Sequence, residues 1–188
     1  MEELTIGDPR LLSTDVGPCI DDPSRKTLAA HVERMAKEQR VVHRCTLPEG
    51  SDAGTFFAPT LVEIDDINAL TEEQFGPILH VVKFKSRHLD KMVDAVNGTG
   101  FGLTMGLHSR IDSRIAGVAA NSGAGNLYVN RNMIGAVVGV QPFGGRGLSG
   151  TGPKAGGPHY VQRFGTEFTL SNNISAVGGN ASLLDLND

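Results

Sequence analysis

Residues 135–157 contain nine glycines, the densest cluster in the chain, and the segment Gln141-Pro142-Phe143-Gly144-Gly145-Arg146-Gly147-Leu148-Ser149-Gly150-Thr151-Gly152 lies inside it. Glycine loses the most backbone entropy on folding and brings no side chain to a core. A stretch this rich in it is either a flexible linker or a loop whose backbone must come close to something. Linkers are polar and serine-rich. This stretch is interleaved with Met133, Ile134, Val137, Val138, Val140, Phe143 and Leu148, which predicts an ordered, partly buried loop.

Three ligand-binding patterns must be tested against this loop. Gly145-Arg146-Gly147-Leu148-Ser149-Gly150 fits G-x-G-x-x-G letter for letter, but a dinucleotide fingerprint follows a strand and opens a helix. Pro142-Phe143-Gly144 precedes it, and Thr151-Gly152-Pro153 with Gly156-Gly157 follows, so no helix can start there and the match is rejected. The phosphate-loop pattern fails because Gly150 is followed by Thr151 and Gly152 instead of Lys and Ser/Thr. The nucleophile elbow G-x-S-x-G fails because Gly147-Leu148-Ser149-Gly150 ends in Thr151.

Composition narrows the class. The chain has 188 residues, 39% hydrophobic and 20% charged, which suits a globular domain with one ordinary core. A net charge of −4 without a basic run lacks the electrostatic footprint of a nucleic-acid binder. No apolar run is long enough to span a membrane, and Met1-Glu2-Glu3-Leu4 is not the start of a signal peptide. Cys19 and Cys45 have no C-x-x-C spacing and make no disulfide framework, so a reducing, cytoplasmic setting is expected. The six histidines, at 31, 43, 80, 88, 108 and 159, show no metal-ligand spacing and read as packing or surface residues. Cys45, beside His43 and Arg44, is a candidate for a lowered pKa, but a plain thiol is the expected reading there, as it is at Cys19.

Along the chain, the entry from Leu4 to Ile20 is rich in turn residues. Asp22-Pro23 marks a helix start with Asp22 as N-cap, and Leu28, Val32, Met35 and Ala36 fall on one face of a helix reaching about Gln39. Val41–Cys45 reads as a strand, and Thr55–Ile64 as an edge or bent strand because of Pro59. A short helix is expected over Asp66–Glu73, broken by Gly76-Pro77. Ile78–Phe84 reads as a buried parallel strand. A helix stopping at Asn97-Gly98, a strand over Leu103–Ser109, a helix over Asp112–Asn121 and a strand over Gly125–Asn130 follow, so an open, mostly parallel α/β sheet with flanking helices is predicted. The glycine-rich loop then follows a strand end, where ligands sit in such sheets. His159–Phe164 reads as a short helix, Gly165–Ser171 as an exposed strand, and Ala176–Asp188 as a small, polar tail.

Glu72-Glu73-Gln74-Phe75-Gly76-Pro77 has a plain reading, with two solvated acids and Phe75 filling the core. It also resembles the E-E-x-F-G-P motif of the aldehyde dehydrogenase superfamily. Phe101–Gly106 and Gln141–Gly145 with Leu148-Ser149-Gly150 resemble two further motifs of that family, in the same order and spacing, and the resemblance covers nearly the whole chain, from Thr14–Pro18 onward. Ile134–Phe143 and Gly156–Tyr160 are similar to the L-glutamate-γ-semialdehyde (pyrroline-5-carboxylate) dehydrogenases. The ending Ala176–Leu184 resembles the bacterial proline utilisation A type, in which that dehydrogenase is fused to a flavin-dependent proline dehydrogenase.

The resemblance implies NAD-dependent oxidation of glutamate semialdehyde to glutamate, with FAD only where a proline dehydrogenase domain is fused upstream. It assigns Glu73 to the nicotinamide ribose hydroxyls and Phe75 to the nicotinamide ring. Gly135 and Ala136 would present backbone N–H groups to the substrate carboxylate, and Phe143 would pack on the aldehyde's aliphatic chain. The family's nucleophilic Cys, general-base Glu, oxyanion-hole Asn and NAD domain lie upstream of the matching region. Residues 1–164 are therefore expected to be the C-terminal part of a catalytic domain, with 165–188 an oligomerisation strand and tail. No catalytic and no metal-binding residue is assigned, the isolated chain is predicted inactive, and the full-length enzyme is expected to be a homo-oligomer. Two other readings stand beside this one: an aldehyde dehydrogenase of different substrate, and a non-catalytic assembly module that adds the Gly165–Ser171 strand to another subunit.

Overall fold

The structure is a computed structural model and describes residues 1–134 and 139–173. The chain forms two compact units, Met1–Met133 with Gly145–Thr151, and Ile134–Gly144 with Gly152–Asp188.

The first unit is built on helix α1, Asp22–Glu38. Its N-cap is Asp21, one residue before the expected Asp22; the Asp21 carboxylate accepts the Ser24 N–H at 2.8 Å. Asp22 instead pairs with Arg25 and Lys26 along the first turn. The apolar face expected from the sequence, Leu28, Val32 and Met35, is buried together with His31. It packs on a three-stranded sheet of β1 (Arg40–Arg44), β2 (Thr60–Ile64) and β3 (Ile78–Val82). Leu28 and Val32 cluster with Phe57, and Met35 with Val62 and Ile64.

β2 is the central strand of this sheet, not an edge. It begins at Thr60, so Pro59 falls just outside the ladder and costs it no hydrogen bond. β1 pairs with β2 antiparallel, and β2 pairs with β3 in parallel, Val62 opposite His80. The helix expected over Asp66–Glu73 is a single 3₁₀ turn, Ile67–Ala69, capped by Asp66. Residues 70–77 then run as loop into β3.

Two helices of ten residues follow, α2 (Leu89–Gly98) and α3 (Asp112–Asn121), each with one buried valine, Val93 and Val118. Asn97 ties their ends together: its amide donates to the Asn121 carbonyl, and its side-chain oxygen accepts the Gly123 N–H, both at 2.8 Å. α2 ends at Gly98, as expected, and a left-handed residue, Gly100 (φ 78°), follows it. Between the helices lie β4 (Phe101–Gly102) and β5 (Thr104–Leu107); β5 pairs in parallel with β6 (Asn126–Val129), as predicted. β7 (Arg146–Gly147) pairs antiparallel with β4. Within the described residues the sheet therefore comes in three pieces instead of one open sheet.

In the second unit, Phe143 and Ala155 form an antiparallel bridge, with backbone hydrogen bonds of 3.1 and 2.9 Å. The helix expected over His159–Phe164 is a 3₁₀ turn, Val161–Phe164, whose Phe164 ring meets Tyr160 edge-on at 5.6 Å. Residues 165–171 are exposed and have no ladder partner among the described residues.

Candidate functional site

The glycine-rich loop is resolved by its contacts. Gly147 sits at φ 59°, and a side chain there would press its Cβ to 2.5 Å from the Gly100 carbonyl. Gly145 and Gly150 are pushed so close that a Cβ on either would strike the backbone of the other's turn. Leu148 N–H donates to the Gly100 carbonyl at 2.9 Å, and the Ser149 hydroxyl accepts the Gly102 N–H at 3.1 Å. The Gly145–Gly150 glycines thus bring two backbones together, β4 and β7, and open no helix. That is the physical content of rejecting the dinucleotide fingerprint.

The Glu72–Pro77 segment has a different character. Phe75 is 87% exposed, so it does not fill the core as the plain reading has it. Gly76 is the reason the segment lies where it does. A Cβ there would come within 2.7 Å of Leu28 Cδ2, and closer to Cδ1. The backbone of Gly76 is therefore seated directly on α1, and Pro77 leads straight into β3, its carbonyl accepting the Thr60 N–H at 3.0 Å. The residues before Gly76 are held out as a short arm.

Beneath that arm is a cleft of about 260 Å³ lined by Ile67, Leu70, Glu72, Glu73, Gln74, His80, Thr99 and Phe101. Gln74 Nε2 donates to Glu72 at 3.2 Å, and Gln74 Oε1 is buried without a hydrogen-bond partner among the described residues. The lining combines the carboxylates of Glu72 and Glu73 with the apolar side chains of Ile67, Leu70 and Phe101. A carboxylate such as Glu73 accepts two hydroxyl hydrogen bonds at once, and an exposed aromatic face such as Phe75 positions a planar ring.

His80 lines the cleft and meets His31 of α1, Nε2 to Nε2, at 2.8 Å. Burial pushes the pKa of both rings down; Arg34 lowers both further, His31 also lowers His80, and Glu72 opposes the fall at His31. The sequence marked neither histidine. Their spacing, 49 residues apart, carries no local signal.

The remaining assignments fall as follows. Phe143 is half-buried in the second unit, at the bridge with Ala155. Gly135 and Ala136 lie outside the described residues. Cys45 Sγ is 3.9 Å from His43 Nε2 and donates to the Met1 carbonyl at 3.5 Å. Cys19 is a partly buried thiol whose pKa is pushed up by burial, the opposite of an activated nucleophile. Among the described residues, no three His, Cys, Asp or Glu side chains converge as a metal site, and no helix is long and apolar enough to cross a membrane.

Glu73 thus lines the cleft and Phe75 stands exposed, on a segment seated by Gly76. The aldehyde dehydrogenase family model matches residues 1–168, and the chain belongs to that family. Within it, the bifunctional protein PutA of Klebsiella aerogenes is 51% identical over 169 residues, which are 87% of this chain and 13% of that protein. The crystal structure of a mutant of Bradyrhizobium japonicum proline utilization A superposes with a TM-score of 0.82 at 54% identity, covering 88% of this chain and 17% of that one. The 1-pyrroline-5-carboxylate dehydrogenase from Thermus with bound NAD superposes with a TM-score of 0.76 at 34% identity, covering 87% of this chain and 31% of that one. The fold is that of part of an aldehyde dehydrogenase domain, and the chain spans less than a third of the length of each of these relatives.

Proposed function

We propose that the chain serves in NAD-dependent oxidation of L-glutamate γ-semialdehyde to glutamate, as the part of such an enzyme that holds one end of the cofactor and one end of the substrate. The observation that carries this reading is the Glu72–Pro77 arm: Phe75 stands 87% exposed next to Glu73, on a backbone locked to α1 through Gly76. Glu73 accepts the ribose hydroxyls and Phe75 packs on the nicotinamide; NAD, when bound, accepts the hydride. Gly135, Ala136 and Phe143 receive the substrate's carboxylate and aliphatic chain. The similarity to proline utilization A and to a 1-pyrroline-5-carboxylate dehydrogenase with bound NAD supports both the substrate and the cofactor.

Neither cysteine has the surroundings of a nucleophile, so we assign this chain binding and no bond-making step. FAD enters only where a proline dehydrogenase is part of the same polypeptide. The working assembly is a homo-oligomer, and its setting is cytoplasmic.

The test is a chimera in which this sequence replaces the matching segment of Klebsiella aerogenes PutA. The chimera oxidises glutamate semialdehyde with NAD, and the 188-residue chain alone produces no NADH. In the chimera, Glu73→Gln raises KM for NAD by roughly 10-fold or more, as loss of a charged hydrogen-bonding partner implies. An unchanged KM overturns the role of Glu73. A chimera that prefers simple aliphatic aldehydes overturns the substrate.

A further inference from the structure

We propose that His31 and His80 share a single proton and, as that pair, tie α1 to β3 at the root of the Glu72–Gly76 arm, loosening that root when both rings become charged. The proposal rests on the reading of Glu73 as the cofactor's partner for its functional meaning, but the clasp itself is a property of this chain.

The geometry distinguishes a shared proton from a metal bite. The Nε2 atoms are 2.8 Å apart while the ring centroids are 5.0 Å apart, with the planes at 82°. Rings that far apart across so short a nitrogen contact point at each other nearly head to head. Two ligands of one tetrahedral metal ion would hold their nitrogens about 3.3 Å apart, farther than the 2.8 Å seen here. A head-to-head contact at 2.8 Å requires one nitrogen to donate and the other to accept.

Arg34 decides which does which. Its Nη2 lies 3.5 Å from His31 Nδ1, and a guanidinium can only donate. His31 Nδ1 is then the acceptor, His31 Nε2 carries the hydrogen, and His80 Nε2 receives it. His80 consequently holds its own proton on Nδ1.

Position gives the pair its task. Leu28 and His31 are one turn apart on α1, and both are buried. Leu28 packs on Gly76, and His31 on His80 beside the cleft that Glu72 and Glu73 line. The arm is thus seated on α1 by the Leu28–Gly76 contact, and one turn along the helix the His31–His80 contact ties α1 to β3, the strand the arm leads into. The charged groups facing the pair are Arg34 from α1, itself held by Glu38 at 3.0 Å, and Glu72 and Glu73 from the arm; β2 presents Val62 in register with His80. Charging both rings takes two further protons, leaves no acceptor between the facing nitrogens and places two cations in contact. The rings part, and the α1–β3 tie beside the arm's seat is lost.

The experiment is NMR on the ¹⁵N-labelled full chain, without cofactor, so that it is read independently of the Glu73 assignment. At neutral pH, long-range spectra show His31 protonated at Nε2 and His80 at Nδ1. On acidification, the backbone amides of Gln74, Phe75 and Gly76 shift with the same midpoint as the two rings. In His31→Gln those amide shifts are lost and His80 titrates as a lone ring; His80→Gln gives the mirror result should the first variant fail to fold. The same tautomer in both rings of the wild-type chain, or arm amides that stay fixed through the titration, overturns the proposal.

Discussion

A Cβ on Gly76 would lie 2.7 Å from one methyl carbon of Leu28, and Leu28 is only 2% exposed, so it has no free volume into which to turn. Gly76→Ala should therefore cost stability by overpacking, roughly 1–3 kcal/mol, read as a lower midpoint in chemical denaturation. Leu28→Ala empties the same space. The double variant should be more stable than the sum of the single losses predicts, since contacting sites couple. Simple additivity would show that the two residues do not meet. This contact also explains what the sequence disclosed and what it withheld. The motif Glu72–Pro77 was legible as a string, and so were the roles that the resemblance lent to Glu73 and Phe75. That Gly76 serves as a seat on a helix 48 positions earlier was not, because a steric contact between distant residues leaves no pattern at either one. The His31–His80 pair was hidden for the same reason.

At the level of elements, local signals did well wherever a strong period or a breaker stood alone. α1 was visible from its apolar spacing, and β5, β6 and α3 from the alternation of strand and helix. The stretch 66–73 misled because its acids suit a helix, while Asp66 instead caps a 3₁₀ turn that ends at Ala69. β2 misled because Pro59 stands at its threshold and not inside it. The pairing of β4 with β7 spans 44 or more residues and involves strands of two residues each, too short to have a period. Gly147→Ala tests that ladder. A non-glycine residue at φ 59° costs about 1–2 kcal/mol by itself, and its Cβ would also crowd the Gly100 carbonyl. Faster hydrogen exchange at the amides of Leu148 and Gly102, with α1 unaffected, is the expected outcome. Unchanged exchange would mean that the loop is held from elsewhere.

Among the described residues, Phe75, Leu79, Phe164 and Phe168 are large apolar side chains left outside, and apolar surface exposed in patches is the mark of an interface. The isolated chain should bind a hydrophobic dye such as ANS in its native state and aggregate as its concentration rises. A monodisperse, dye-silent monomer would contradict this. Stability should also fall in two acid steps. His31 and His80 have pKa values lowered by folding, so the unfolded chain takes up their protons first, and stability declines as pH drops below about 6.5. Asp22 and Glu63 are lowered by Lys26 and Lys83 respectively; their contribution is complete above about pH 4 and fades as pH falls further. Denaturation followed from pH 8 to 3 should show both steps, with His31→Gln reducing the first.

The exclusion of side chains at Gly145 and Gly150 bears on how this protein can change over time. Most steric conflicts have a remedy, since a bulky newcomer is accommodated when its neighbour shrinks. Here the obstacle is main chain, that of Ser149 for Gly145 and that of Gly145 for Gly150. No second-site change of residue type can relieve either position, so the loop has no neutral route away from its present spelling. Variation in this protein must accumulate around the turn, and a library randomised across 145–150 should return glycine at both ends whatever is selected in between.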